Sequence, residues 1–297
     1  MTKFIRYSYI TVTISKTKTK ESTTQKEVKM CEFCVKHGDG QKWYLAMENY
    51  SRELLYQDHR IEFISHFVNT YQARMPANLS LLESLAHSPL RSLARPFLSR
   101  VQKRDHFGQI VPLEDVEEIL EQMEGVIRLA CVCRQVTTGR QEARYCYALT
   151  SDPRLAAEID DAFNLEVITP AEAITSIREL DREGLVHSVW TFKTPYIGGL
   201  CNCDQDCVAY RVCHTRRYFQ VMFRGEYVAG VDPDRCNGCR NCMRQCQYGA
   251  IRYSAANKKV EIDPRQCFGC GVCRAGCHKG AITLHARAED PVAAGIW

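Results

Sequence analysis

Eight cysteines near the carboxyl end constrain this chain more than any other feature: Cys236-x2-Cys239-x2-Cys242-x3-Cys246 is followed by Cys267-x2-Cys270-x2-Cys273-x3-Cys277. Closely spaced thiols on a tight loop can present three soft donors to one point while backbone amides face the same space. Gly238, Gly269 and Gly271 let such loops curl without side-chain collision. Structural zinc sites commonly use two Cys-x2-Cys pairs, whereas the three-plus-one rhythm here suits a 4Fe–4S cubane in each run. Between the runs, residues 250–253 and 259–262 read as short strands joined by a turn near Ala256 and Asn257. After the second run, residues 281–285 mirror residues 250–254.

Each run resembles the motif of bacterial ferredoxins, in which three cysteines hold one cluster and the fourth reaches across to the other. Carried over by position, the resemblance implies Cys236, Cys239, Cys242 and Cys277 for one 4Fe–4S cluster. It implies Cys267, Cys270, Cys273 and Cys246 for the second. In that pattern a proline usually follows the fourth cysteine, but here Gln247 and His278 stand there. Ligation survives the change, whereas the reduction potential is affected by an extra N–H or an imidazole near sulfur. His278 reads as an exposed histidine beside the cluster, and Tyr248, Tyr253 and Phe268 as packing around it.

Nine of the 17 cysteines lie outside this segment, in groups: Cys31 and Cys34; Cys131, Cys133 and Cys146; Cys201, Cys203, Cys207 and Cys213. The Cys131-x-Cys133 pair with Cys146, the later Cys201-x-Cys203-x3-Cys207, and the opening Cys31-x2-Cys34-x2-His37 together resemble larger ferredoxin-like iron–sulfur proteins of anaerobic bacteria and archaea. That resemblance, over residues 30–215, implies a further metal centre. The expectation is a third iron–sulfur cluster held by four thiolates drawn from Cys131, Cys133, Cys146, Cys201, Cys203 and Cys207. Cys31 and Cys34, with His37, are candidates for a zinc site or for completing a fourth cluster.

The architecture expected is α+β: a flexible leader over 1–29, a helical N-terminal region with Cys-x2-Cys over 30–106, a central cysteine-rich helix–strand module over 107–222, and a ferredoxin-like domain over 223–297. Met30 is a possible native start. Apolar residues recur with the helical period from Leu54 to Tyr71, with Pro76 as the expected stop, and a second helical stretch over 79–98 is interrupted by Pro89 and Pro96. The central region carries a weak internal repeat. Pro112 and Pro170 each open a helix that ends near Gly125 or Gly184 and leads into a strand, 126–132 or 185–192. Each unit then reaches a Cys-x-Cys pair, so two similar units can present their cysteines to one shared site.

With 45% hydrophobic and 25% charged residues the composition is that of a folded protein. No signal peptide and no long apolar run are evident, which favours metal ligation over disulfides and a cytoplasmic location. The formal charge of +4 is a poor argument for nucleic acid. Two oxidised clusters with thiolate ligands, at about −2 each, bring it to roughly zero. The Arg216-Arg217 pair reads as a solvated turn or a contact for an acidic partner.

No nucleotide, flavin or nucleophile motif is present. The leading expectation is therefore single-electron transfer to a redox partner protein. An alternative makes the upstream metal site the catalytic centre of an oxidoreductase, with Arg134, Arg140, Arg144 and His187 orienting an anionic substrate. A third reading, a redox-sensing DNA-binding regulator, rests on residues 174–186 resembling the last helix and wing of a winged helix. The oligomeric state is left open.

Overall fold

The structure, a computed structural model, describes residues 41–86, 91–140, 145–159 and 161–297. The fold is α+β. Short turns and helix α1 (Arg52–Leu55) lead into the long helix α2 (Arg60–Ala86) and then α3 (Arg91–Asp105). Neither Pro76 nor Pro96 stops its helix, contrary to expectation. Pro76 is exposed, so the ring projects into solvent, and the N-terminal half of α2 is anchored by packing on the helices beneath it. Tertiary packing outweighs the one backbone bond that proline removes.

A seven-stranded sheet follows. Its elements in chain order are β1 (Gly108–Ile110), α4 (Leu113–Glu121), β2 (Val126–Leu129), α5 (Val132–Thr138), β3 (Cys146–Ala148), α6 (Pro153–Glu158), β4 (Glu166–Ile168), α7 (Pro170–Glu183), β5 (Val186–Thr191), β6 (Ile197–Cys203), α8 (Val208–Tyr210) and β7 (Met222–Phe223). The spatial order is β4-β2-β3-β6-β5-β1-β7, antiparallel except for the β1–β7 pair. The repeat read from sequence is visible as two strand–helix–strand–strand units. They exchange their first strands, so that β1 pairs with β5 of the second unit and β4 with β2 of the first. The seam between the units is the β3–β6 pair, where Cys146 lies directly opposite Cys201.

Helix α7 starts with a capping box, in which Thr169 and Glu172 satisfy each other's backbone amides, and Pro170 sits just inside it. Pro112 instead occupies the cap position itself of α4. Both helices lie on one face of the sheet. Val116, Ile119 and Leu120 of α4 and Ala173 and Ile177 of α7 share a core with Val126, Tyr147, Val189 and Leu200. Because strand side chains alternate, burying Tyr147 and Leu200 on that face sends Cys146, Cys201 and Cys203 to the other. The strand expected over 126–132 ends at Leu129, since residues from Val132 on form α5.

The C-terminal segment adds β8 (Tyr227–Val231), α9 (Asn241–Gln245), β9 (Ile251–Ser254), β10 (Lys259–Ile262) and β11 (Ile282–Ala286). β9 pairs with β10, and β11 with β8, in two separate antiparallel ribbons. The strands over 250–262 and after the second run lie where the sequence places them, within a residue. β8 was not read from sequence, and it supplies the partner that the last strand needs.

Candidate metal centres

In the C-terminal segment the cysteine loops bring the thiols into two groups. Cys236, Cys239, Cys242 and Cys277 line one cavity, together with Asn237, Arg240 and Lys279. Cys242, on α9, has its thiol pushed up to about 11, first by burial and then by Cys277, Cys239 and Cys236. Cys273 sits on the corresponding turn of the second run. Burial raises it most, and after that the neighbouring Cys267 and Cys246. Cys270 is raised by burial and by Cys273, Cys267 and Cys246. The fourth cysteine of each run thus lies with the first three of the other.

Backbone amides point at these sulfurs. Ala250 N donates to Cys246 Sγ and Ala281 N to Cys277 Sγ, each at 3.3 Å and each four residues after its cysteine, and Ala229 N donates to Cys267 Sγ at 3.4 Å. Gly238 has φ +70°, and a Cβ there would stand 2.1 Å from the Lys258 carbonyl, so the loop closes only with glycine. Two cations, not singled out from sequence, hold the second group. The buried Arg287 donates to the carbonyls of Gly225, Tyr227 and Cys267, each at 2.8 Å, and Arg224 also donates to the Cys267 carbonyl at 2.9 Å. Burial draws the Arg287 guanidinium down to about 10.

Upstream, six thiols meet. Cys131 caps α5 and Cys133 lies in its first turn, Cys146 and Cys201 face each other across β3–β6, Cys203 is two residues further along β6, and Cys207 caps α8. Cys133, Cys146 and Cys207 neighbour Cys131, Cys146 and Cys203 neighbour Cys201, and Cys207 neighbours Cys203. Its three thiol neighbours hold Cys131 well below the ordinary thiol range. Cys201 and Cys207 do the same for Cys203. Tyr71 of α2 touches Cys133 Sγ at 3.4 Å and helps cover the group. The two Cys-x-Cys pairs thus lie near each other, the first at a turn and the second in a strand.

Arg134 is fully buried beside this group, stacked at 4.0 Å over the Tyr145 ring. It donates to Cys131 Sγ at 3.6 Å and to the Asn202 carbonyl at 3.3 Å, and it pairs with Asp204 at 2.5 Å. Burial opposes its charge, yet Cys207, Asp204 and Cys131 raise its pKa. His187, equally buried, is bonded through Nδ1 to Asn202 at 2.6 Å and approaches Asp181 at 3.4 Å. Both side chains thus have protein partners, while Arg134 Nε and His187 Nε2 are buried without a hydrogen bond among the described residues. Arg140 is exposed, and Arg144 lies outside the described residues.

Cys31, Cys34 and His37, the residues of the zinc expectation, also lie outside the described residues, as do the leader and Met30. Cys213 stands apart from the six and accepts backbone bonds from Val221 and Met222 at 3.2 and 3.3 Å. Arg216 pairs with Glu83 at 3.5 Å. The outward face of α7 carries Glu172, Glu179 and Glu183 against Arg178 and Arg182, a poor surface for phosphates. No helix among the described residues is long and apolar enough to cross a membrane.

Residues 229–278 match the family of the 4Fe-4S dicluster domain, and no curated protein matches the chain. The region near the C-terminus is therefore a 4Fe–4S dicluster domain, a module of iron–sulfur electron transfer. The residues present fit such groups. Soft thiols converge in fours, amides aim at their sulfurs, and guanidinium groups offset the negative charge that a reduced cluster carries. Among the described residues no three Cys, His, Asp or Glu side chains close around a single ion.

Proposed function

We propose that this chain is an electron-transfer protein with three iron–sulfur centres, passing single electrons to a redox partner in the cytoplasm of an anaerobe. Cys236, Cys239, Cys242 and Cys277 hold one 4Fe–4S cluster of bacterial ferredoxin type. Cys267, Cys270, Cys273 and Cys246 hold the second. Four or more of Cys131, Cys133, Cys146, Cys201, Cys203 and Cys207 hold the third. Bound there, the clusters supply reversible one-electron capacity; the chain provides thiolates, amide donors and cations that set how readily each accepts charge.

The observation that carries this reading is the meeting of six thiols from four separate parts of the chain in one site. Core packing alone gives no reason to gather so many sulfurs, whereas cluster ligation does. Relay is favoured over catalysis because the sequence carries no nucleotide, flavin or nucleophile motif, and Arg134, the cation nearest that site, is engaged by Asp204, the Cys131 sulfur and the Asn202 carbonyl. The test is iron and sulfide analysis of anaerobically purified protein with Mössbauer spectra. About twelve irons, four for each cubane, are expected, and about eight would remove the third centre. Paramagnetic spectra unchanged by small-molecule substrates support relay, and substrate-induced changes support the oxidoreductase alternative.

A further inference from the structure

We infer that the upstream centre communicates with the cluster of the Cys246 group, not that of the Cys236 group, and that Gln247 and Tyr248 form the bridge. The inference rests on the reading that the upstream thiols hold a cluster.

Gln247 stands where the ferredoxin motif has proline, directly after Cys246. Its side-chain nitrogen donates to the Cys203 carbonyl at 3.4 Å and to the Gly184 carbonyl at 2.5 Å. Its own carbonyl accepts from the Tyr210 hydroxyl. One residue thus joins a thiol-bearing residue of the upstream group to one of the dicluster domain, through a single hydrogen bond and two short covalent segments. Proline has no side-chain donor and cannot make this link.

Tyr248 completes it. The side chain is buried and packs against Phe268, the residue after Cys267, and against Tyr210, three residues beyond Cys207. Its ring stacks on Phe268 at 3.9 Å and lies 5.6 Å from Tyr210. Among the described residues its hydroxyl has no hydrogen-bond partner. A buried donor left so is costly, and a sulfur acceptor of the neighbouring cluster would relieve it. On the far side of the domain, Cys239 of the other group is exposed and bordered by the exposed Arg240 and Lys279. That end faces outward. Transfer across the bridge removes one electron from the upstream centre and adds one to the Cys246-side cluster.

The test uses full-length, iron-loaded protein reduced stepwise with dithionite and followed by low-temperature paramagnetic resonance. Wild type is expected to show magnetic splitting between the upstream signal and one dicluster signal. Cys239→Ser should leave the splitting intact, and Cys270→Ser should perturb it. Gln247→Leu, which alters no thiol, should weaken it at unchanged iron content. Tyr248→Phe, which removes only the hydroxyl, should lower the potential of the Cys246-side cluster, because a donor to sulfur stabilises its reduced form.

A full iron complement without splitting, or splitting that follows Cys239→Ser instead, overturns the inference while leaving three centres in place. Full splitting in Gln247→Leu removes Gln247 from the bridge even if a ligand variant fails to load, and an unmoved potential in Tyr248→Phe removes Tyr248. An iron count of about eight, two cubanes' worth, overturns the third centre and this inference together.

Discussion

The two sulfur-rich regions of this molecule assemble their thiols by opposite means. In the dicluster domain the cysteines are close in sequence, and loops held by glycines at positive φ bring them together. The regular structure around them is slight, two ribbons of two strands each. In the upstream region the thiols come from distant segments, and the register of a seven-stranded sheet with its own apolar core brings them together. Local spacing builds a site that depends on what it binds; strand register builds one that the scaffold can hold unaided.

Removing iron should divide the two regions most sharply. Isolated two-stranded ribbons are marginal in water, and ligand binding to such sites is itself folding energy. Hydrogen exchange on iron-free protein should show the amides of β8–β11 losing protection while those of α4, α7 and β5 keep it. Equal loss in both regions would erase the distinction.

Arg134→Met should have the next largest effect. It leaves Asp204 and the low-pKa thiolates without their buried cation, a loss of roughly 3–5 kcal/mol, read by denaturant unfolding of the sheet region. A neutral result would mean that the upstream thiols carry no charge in need of compensation.

A pair of glycines sharpens the point about loops. Gly139 and Gly238 have φ of +71° and +70°, but a Cβ at Gly139 meets nothing within 4 Å, whereas one at Gly238 runs into Lys258 O. Gly139→Ala should cost about 1 kcal/mol of backbone strain. Gly238→Ala should cost about 3 kcal/mol, with the clash added, and release iron from the Cys236 group. Equal costs in denaturant titrations would show that the loop yields without consequence.

Thr169→Ala should lower stability by about 1 kcal/mol through loss of the α7 cap. The same loss is expected with and without iron, since the helix belongs to the self-supporting sheet. A difference between the two preparations, measured by thermal unfolding, would couple the cap to the clusters.

The smallest effect is a pH slope in the sheet region. His106 stacks on Trp190 at 5.0 Å and lies 2.6 Å from the Thr191 carbonyl, and burial draws its pKa down to about 4 despite that bond. Between about 6.5 and 4 the unfolded chain takes up a proton that the folded chain refuses. Stability is therefore full above that window and falls as pH drops through it. His106→Gln should flatten the slope, and an unchanged slope would place its origin elsewhere.

The sequence by itself determined the dicluster motif, the strands between and after its runs, the two proline-opened helices and the grouping of the other cysteines. All of these depend on neighbours a few residues apart, where side-chain type and spacing act directly on the backbone. Only the tertiary structure decided that Cys146 faces Cys201, that the two repeats exchange their first strands, and that Arg134 is buried against Asp204. It also decided that α2 and α3 run through Pro76 and Pro96, and that Gln247 reaches Cys203. Each of these joins residues far apart in the chain, and strand register and packing, which no local pattern encodes, bring them within range.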